Sequence, residues 1–217
     1  MHIPDGFLNL TTAATTYVAA GGSVAYAARR ANAELGERQV PLMGVSAAFI
    51  FAAQMLNFHV VGGTSGHLLG GALVAILLGP WPGMLVMTSV LAVQALLFQD
   101  GGLLALGANV LNMAVLAVLV GHVTYQGLMR LLGRGRLGLY AAGFVAGWLS
   151  VVIAALAAAA ELAVSGTVAW GVVLPAMAGV HALIGIGEGL ITVGVLIFLS
   201  LAWPDLLHRP VVQEGIS

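Results

Sequence analysis

Long apolar stretches, separated by short polar or glycine-rich segments, make up most of the chain. A helix that crosses a bilayer needs about 20 mostly apolar residues, because its backbone groups must find their hydrogen bonds within the helix. Seven such stretches are present. They cover residues 8–28, 41–58, 66–79, 83–98, 103–129, 138–164 and 173–202. The pattern predicts an all-α, polytopic membrane protein in which residues 1–217 form one transmembrane domain, a bundle of about seven helices.

The composition agrees with this prediction. Of the 217 residues, 60% are hydrophobic and 7% are charged, whereas soluble domains average about 25% charged residues. A net charge of -1 gives no field that would attract a polyanion, so a nucleic-acid partner is not expected. The sequence contains neither lysine nor cysteine, so it has no P-loop and no thiolate metal site. We expect a protein that is not an enzyme and depends on another chain for any ATP hydrolysis.

All the arginines fall on one side of a seven-span topology. They are Arg29, Arg30, Arg38, Arg130, Arg134, Arg136 and Arg209. Cytoplasmic loops are enriched in arginine and lysine, so this side is expected to be the cytoplasm. The predicted location is therefore the plasma membrane, the inner membrane of a bacterium, with the N-terminus outside and the C-terminus in the cytoplasm.

The chain begins Met1-His2-Ile3-Pro4-Asp5-Gly6-Phe7. A histidine at position two closes adjacent five- and six-membered chelate rings with the terminal amine and its own amide nitrogen. This arrangement puts three nitrogens in one plane and leaves a corner for another imidazole. Such a set suits Ni(II), Cu(II) or Co(II) rather than magnesium or calcium. The alternative is a frayed terminus whose histidine binds nothing.

A second polar segment, residues 57–67, lies at the outer end of the second span and reads NFHVVGGTSGH. Non-helical backbone at membrane depth lines a cavity or is buried in protein. His59 and His67 lie on the same side as His2, which favours a metal site over a capped re-entrant turn. Thr64 or Ser65 is predicted to cap the short third helix, with His67 in its first turn.

Several polar residues in the other spans are candidates for the same cavity. His181 and Glu188 are seven residues apart and share a helical face. A carboxylate near the middle of a bilayer normally faces the bundle interior and has a partner. These two residues either orient the ligands of a binding site, take part in translocation, or make an interhelical hydrogen bond. Gln94, Asn109 and Asn112 either line the cavity or simply join helices.

The two N-terminal motifs resemble those of the CbiM/NikM family, the substrate-capture components of energy-coupling-factor transporters for cobalt and nickel. The likeness continues through LLGPW at 77–81, QALLF at 94–98, DGG at 100–102, LGAN at 106–109, His181 and Glu188. The resemblance implies a seven-helix bundle with its N-terminus inserted into a central pocket. His59 departs from the family, in which proline is expected at this position.

The resemblance also implies a ligand set and a function. The metal would be held by the Met1 amine, the His2 amide nitrogen and imidazole, and the His67 imidazole. Residues of the pocket around it would include Asn57, His59, Ser65, Gln94, Asp100, Asn109, His181 and Glu188. The expected function is high-affinity binding and ATP-driven import of Co(II) for cobalamin synthesis, with Ni(II) as the alternative cargo and no prosthetic group. The expected partners are a transmembrane scaffold subunit, ATP-binding cassette ATPases and a small accessory membrane subunit.

The same loop also supports a second hypothesis, that the protein is an intramembrane protease. Residues 63–66, GTSG, match the GxSG pattern of rhomboid intramembrane serine proteases, with Ser65 as nucleophile and His181 as base. Four residues are a weak motif, and this reading leaves His2 and His67 unexplained. It is retained as the remote alternative.

The one-sided arginines give a test of topology. Reporter fusions placed after Glu34, Arg134 and Ser217 should all report the cytoplasm, because the positive loops stay inside. A fusion after Asp100 should report the outside. An external signal at either arginine-bearing loop would contradict the seven-span topology.

Overall fold

The structure, a computed structural model, describes residues 1–36, 39–60, 64–133 and 135–204, with the side chains of residues 57–65 left out. Within these ranges the chain forms seven helices and one short hairpin. The elements are α1 (Leu10–Glu34), α2 (Gln39–Gln54), β1 (Asn57–Val60), β2 (Thr64–His67), α3 (Gly71–Leu78), α4 (Pro80–Leu97), α5 (Leu106–Leu132), α6 (Arg136–Val164) and α7 (Trp170–Ala202). Each helix falls on one of the seven apolar stretches, so the predicted all-α membrane bundle is confirmed.

The helices differ in how far they can reach across a bilayer. By length and composition, α4, α5, α6 and α7 can each cross a membrane. Helix α1 has 25 residues but includes threonines and arginines, whereas α2 has 16 residues and α3 has eight. At about 1.5 Å per residue, α3 covers less than half of a hydrocarbon core of about 30 Å. The third apolar stretch therefore supplies only a partial span.

Local sequence explains where α3 ends and α4 begins. Gly79 has a φ of 84°, a conformation that glycine adopts without steric cost, and its N–H donates to the Ala75 carbonyl at 3.1 Å. Pro80 is the first residue of α4, where its missing N–H costs no helical hydrogen bond. The two helices can therefore follow one another without an intervening loop.

The segment between α2 and α3 is an antiparallel hairpin, which the sequence did not predict. Asn57 pairs with His67, and His59 with Ser65. Strand pairing satisfies backbone groups that have no helix to satisfy them. The predicted cap by Thr64 or Ser65 is wrong, because α3 begins only at Gly71 and His67 lies in β2.

The described arginines are consistent with a single basic end of the bundle. Arg30 lies over the ring of Trp81, with its guanidinium carbon 5.9 Å from the ring centroid, so the end of α1 meets the start of α4. Arg130 and Arg136 flank the turn between α5 and α6. Arg38, Arg134 and Arg209 lie outside the described residues. Which side of the membrane this end faces stays a prediction.

Helices α6 and α7 pack against each other through small residues. Gly147 faces the backbone of Gly189, and Gly185 faces Trp148. Close approach of this kind is the main source of helix association in lipid, where no hydrophobic effect drives it. Helix α6 also packs against α5, α3 packs against α4 and α5, and α1 and α2 pack on α4.

Substitution of Gly189 by alanine tests this packing. A Cβ there would lie 2.9 Å from the carbonyl oxygen of Phe144, so the two helices must separate. We expect Gly189→Ala to destabilise the protein by about 1–3 kcal/mol, measured as a lower Tm in detergent. Gly179→Ala, on the same helix, is the matched control because its Cβ would meet nothing within 4 Å. An equal Tm for both variants would contradict the packing argument.

Candidate metal centre

The first three residues lie inside the bundle, although they precede the first helix. Met1, His2 and Ile3 are all buried. The Ile3 N–H donates to Asn109 Oδ1 at 2.8 Å, and the Asn109 side-chain amide donates back to the Ile3 carbonyl at 3.1 Å. The Gly102 N–H donates to the same carbonyl at 2.9 Å. The backbone of Ile3 is thus satisfied within the protein, which holds Met1 and His2 at depth.

The loop between α4 and α5 is shaped to receive this segment. Asp5 Oδ1 accepts a hydrogen bond from the Leu104 N–H at 2.7 Å. A Cβ at Gly102 would overlap Asp5, and a Cβ at Gly101 would lie 3.1 Å from His2 Cδ2. Gly101 also has a φ of 91°, which other residues rarely adopt. The two glycines are therefore required for the N-terminal segment to fit against the loop.

The His2 imidazole contacts three polar groups. Its Nε2 is hydrogen-bonded to Gln94 Oε1 at 3.1 Å, and its Nδ1 lies 3.3 Å from Asp100 Oδ1. Its ring stacks on the His67 ring, with the centroids 4.7 Å apart and the planes 25° from parallel. The structure thus brings together two histidines that are 65 residues apart in sequence.

His67 presents one ring nitrogen that has no hydrogen-bond partner in the described part of the chain. Its Nδ1 bonds to the Leu68 carbonyl at 2.7 Å. Because a carbonyl oxygen only accepts, Nδ1 carries the proton and Nε2 carries a lone pair. Nε2 is buried and unsatisfied. A buried nitrogen lone pair of this kind is a ready metal ligand.

Burial keeps the N-terminal nitrogens unprotonated. It lowers the pKa of the Met1 amine to about 4, although the charge of Asp100 acts in the opposite direction. Burial also lowers the pKa of His2 to about 3, and the nearby amine adds to this effect. Both values lie below 7, so both groups are neutral at physiological pH. Metal ligands must be unprotonated, so these nitrogens suit a metal.

Glu188 supports the segment that follows His67. Its Oε2 accepts a hydrogen bond from the Leu69 N–H at 2.8 Å, and its Oε1 accepts one from the Gly70 N–H at 2.5 Å. These donors precede α3, so a carboxylate from α7 satisfies backbone groups that a side-chain cap would normally satisfy. Glu188 of α7 thus bonds the backbone between β2 and α3, and its role at a binding site stays a prediction.

His181 is buried on the face of α7 that also carries Glu188. Its Nδ1 donates to the Met177 carbonyl at 2.9 Å, and its buried Nε2 has no hydrogen-bond partner among the described residues. The Met1 amine and His181 would repel each other if both were protonated, and so would His181 and His67, so the three groups lie near one another. The structure thus brings His181 towards the two stacked histidines.

Other predicted residues fall elsewhere or outside the description. Asn112, in the π-helical turn Leu111–Leu116 of α5, donates to Glu161 Oε2 at 2.7 Å, so it joins α5 to α6. The side chains of Asn57, His59 and Ser65 lie outside the description, and their roles stay predictions.

Two residues that the sequence analysis did not single out are Gln54, which is fully buried, and Glu161, which is partly buried. Gln54 donates to the Leu69 carbonyl at 2.7 Å and accepts from Gln94 at 2.9 Å. An amide in the middle of an otherwise apolar segment was the available signal, because a buried amide needs partners.

The described residues contain no cluster of three or more histidine, aspartate or glutamate side chains arranged to hold a metal ion. His2 and His67 supply only two imidazoles between them. A metal at this position would therefore need donors besides these two imidazoles.

Comparisons with known proteins give a consistent result. The CbiM family, described as "Cobalt uptake substrate-specific transmembrane region", matches residues 2–206. A protein named as a fused nickel transport protein in Archaeoglobus fulgidus is 44% identical over 96% of this chain and 68% of its own length. The cobalt transport protein CbiM of Sorangium cellulosum is 35% identical over 96% of this chain and 95% of its own.

Solved structures show the same fold. A crystal structure of a truncated transition metal transporter is similar with a TM-score of 0.85 and 36% identity, covering 92% of this chain and 98% of that one. A crystal structure of a transition metal transporter matches with a TM-score of 0.85 and 35% identity over 93% of both chains. The relatives are metal transport proteins rather than enzymes. The chain therefore belongs to the CbiM family of cobalt and nickel transport proteins.

Proposed function

We propose that this chain captures Co(II) in the plasma membrane as the substrate-specific subunit of an ATP-driven energy-coupling-factor importer. The observation that carries the proposal is the stacked pair His2 and His67 together with the burial of the N-terminal residue, Met1. The proposed ligands are the Met1 amine, the His2 amide nitrogen, His2 Nδ1 and His67 Nε2. Residues 1–217 form the substrate-capture domain.

The charge balance of the site supports this ligand set. Coordination by an amide nitrogen displaces its proton, so the nitrogen contributes one negative charge to a divalent ion. Asp100, whose Oδ1 lies 3.3 Å from His2 Nδ1, supplies a second negative charge when ionised. The charges of the divalent ion, the deprotonated amide nitrogen and the Asp100 carboxylate then sum to zero. A buried charge is costly unless it is compensated, and this site compensates it nearby.

Other residues are proposed to shape the pocket rather than to bind the ion. Asn109 fixes the depth of the N-terminus, Gln94 orients His2, and Glu188 orients the chain beside His67. His181 is placed near the ligands and offers an unsatisfied nitrogen. Asn57, His59 and Ser65 are proposed to line the pocket from the hairpin.

Nickel is the second candidate cargo. The family description names cobalt, whereas the relative in Archaeoglobus fulgidus is named for nickel. Four nitrogens in a plane accept either ion, and affinity at such a site rises from Co(II) to Ni(II). We propose cobalt as the transported ion because the family is described by cobalt uptake, and the choice between the ions is open to direct measurement.

Energy for transport is proposed to come from partner subunits. The chain has no lysine and therefore no P-loop with which to hold ATP. The proposed partners are a transmembrane scaffold subunit, ATP-binding cassette ATPases and a small accessory membrane subunit.

One added residue ahead of Met1 tests the amine as a ligand. The extension keeps both histidines but converts the amine into an amide, so the original chelate rings cannot form. Affinity for Co(II) and Ni(II), measured by titration calorimetry, should fall at least as far as it does in His67→Ala. N-terminal acetylation should have the same effect by removing the lone pair of the amine.

A control separates lost ligation from lost fold. The same residue added after Ser217 should leave affinity unchanged, and the N-terminally extended protein should keep a cooperative melting transition in detergent. An extended protein that bound both ions as tightly as the original would refute the amine as a ligand.

Uptake in cells tests the cargo and the energy source together. The chain should accumulate radioactive cobalt only when scaffold and ATPase subunits are co-expressed, and excess nickel should compete. Uptake by the chain alone at the full rate would contradict the dependence on ATP. Preferential accumulation of nickel from an equal mixture would identify nickel as the cargo.

A further inference from the structure

We propose that Gln54 is a positioning residue that fixes the tautomer of His2, so that Nδ1 of His2 is the nitrogen left unprotonated. The inference rests on the metal site proposed above and adds a residue that is not one of its ligands. Gln54 acts through Gln94, and we call this pair the amide chain. The amide chain connects the Leu69 carbonyl, two residues before α3, with the imidazole of His2.

Three buried hydrogen bonds form the connection. The Gln54 amide nitrogen donates to the Leu69 carbonyl at 2.7 Å, and the Gln94 amide nitrogen donates to Gln54 Oε1 at 2.9 Å. Gln94 Oε1 then bonds to His2 Nε2 at 3.1 Å. Both glutamines are fully buried and His2 is 4% exposed. Solvent therefore offers no alternative partners for these groups.

The Leu69 carbonyl sets the direction of all three bonds. A carbonyl oxygen can only accept, so Gln54 must turn its NH₂ towards Leu69 and its oxygen towards Gln94. Gln94 must then turn its NH₂ to that oxygen and its own oxygen to His2. Reversal of one amide would bring two oxygens or two NH₂ groups face to face in a buried place, where unmade hydrogen bonds are costly. His2 Nε2 is therefore the donor.

This direction decides which nitrogen of His2 can bind a metal. A neutral imidazole carries one proton, so a proton on Nε2 leaves the lone pair on Nδ1. Only Nδ1 closes a six-membered ring with the amide nitrogen, through Cα, Cβ and Cγ. A proton on Nδ1 would block that ring. The amide chain therefore prepares His2 for chelation before the ion arrives.

Asp100 is the competing acceptor. Its Oδ1 lies 3.3 Å from His2 Nδ1 and by itself would favour a proton there. The Asp100 side chain is 23% exposed, so water can also satisfy it. Gln94 is fully buried, so water cannot reach its Oε1, whereas His2 Nε2 lies 3.1 Å from it. An unmade hydrogen bond costs more free energy at the buried Gln94 than at Asp100, which water can reach. The proton of the His2 ring therefore stays on Nε2.

Gln54, rather than Gln94 alone, is what makes the tautomer unique. Without Gln54, the Gln94 amide could rotate and donate to Nε2, which would move the ring proton to Nδ1. The position of the Leu69 carbonyl is fixed in turn, because the N–H of the same residue donates to Glu188 at 2.8 Å. The tautomer of a metal-binding histidine is commonly set by such outer partners, whose loss lowers affinity by about 10- to 100-fold.

The test reads the tautomer without any metal. Nitrogen NMR on metal-free protein labelled at histidine, with His2 assigned through His2→Ala, should show a single Nε2–H form in the original protein. Gln54→Leu should show both tautomers and should bind Ni(II) about 10- to 100-fold more weakly. Gln54→Met, closer to glutamine in length, gives a second variant if Gln54→Leu does not fold.

A matched control removes a buried polar group elsewhere. Ser150→Ala deletes a buried hydroxyl on α6 that bonds within its own helix, and it should leave the tautomer and the affinity unchanged. An unchanged Nε2–H form in both Gln54 variants would overturn the inference. Because the tautomer is read without metal, that failure is distinct from a failure of the metal site, which would appear as no binding by the original protein.

Discussion

The N-terminal segment can lie inside a membrane bundle because its backbone finds partners there. Exposed N–H and C=O groups are expensive at membrane depth, and residues 1–9 have no helix to satisfy them. The side chain of Asn109 and the N–H of Gly102 replace that helix at Ile3. Without these bonds the terminus would return to water, and His2 would no longer meet His67. The position of the N-terminus therefore determines whether a site exists.

The two halves of the site are held by separate parts of the bundle. His2 is held from α4 and from the loop that follows it, through Gln94 and Asp100. His67 precedes α3, and the backbone donors between them, at Leu69 and Gly70, are satisfied by Glu188 of α7. A helix of eight residues would be marginal alone. The stability of α3 therefore depends on the Glu188 carboxylate and on packing against α4 and α5.

Sequence alone could predict the features that depend on local pattern. Seven apolar stretches identify seven helices because every residue of a lipid-facing helix contributes to its hydropathy. The turn at Gly79 and Pro80 follows from the backbone limits of those two residues. His2 could be singled out because a chelate made by adjacent residues needs no knowledge of the fold. Each of these inferences draws on residues that are neighbours in sequence.

The remaining features depend on pairs that are far apart in sequence. The bond from Gln94 to Gln54 spans 40 residues, and that from Leu69 to Glu188 spans 119. A buried glutamine predicts that it has a partner, but periodicity does not say which one. The hairpin escaped prediction for a different reason: its paired residues are close in sequence, but Gly-rich segments carry little pattern to fix a register. The polarity of the amide chain could be deduced only once its end was known to be the Leu69 carbonyl, because a carbonyl accepts while an amide can turn either way.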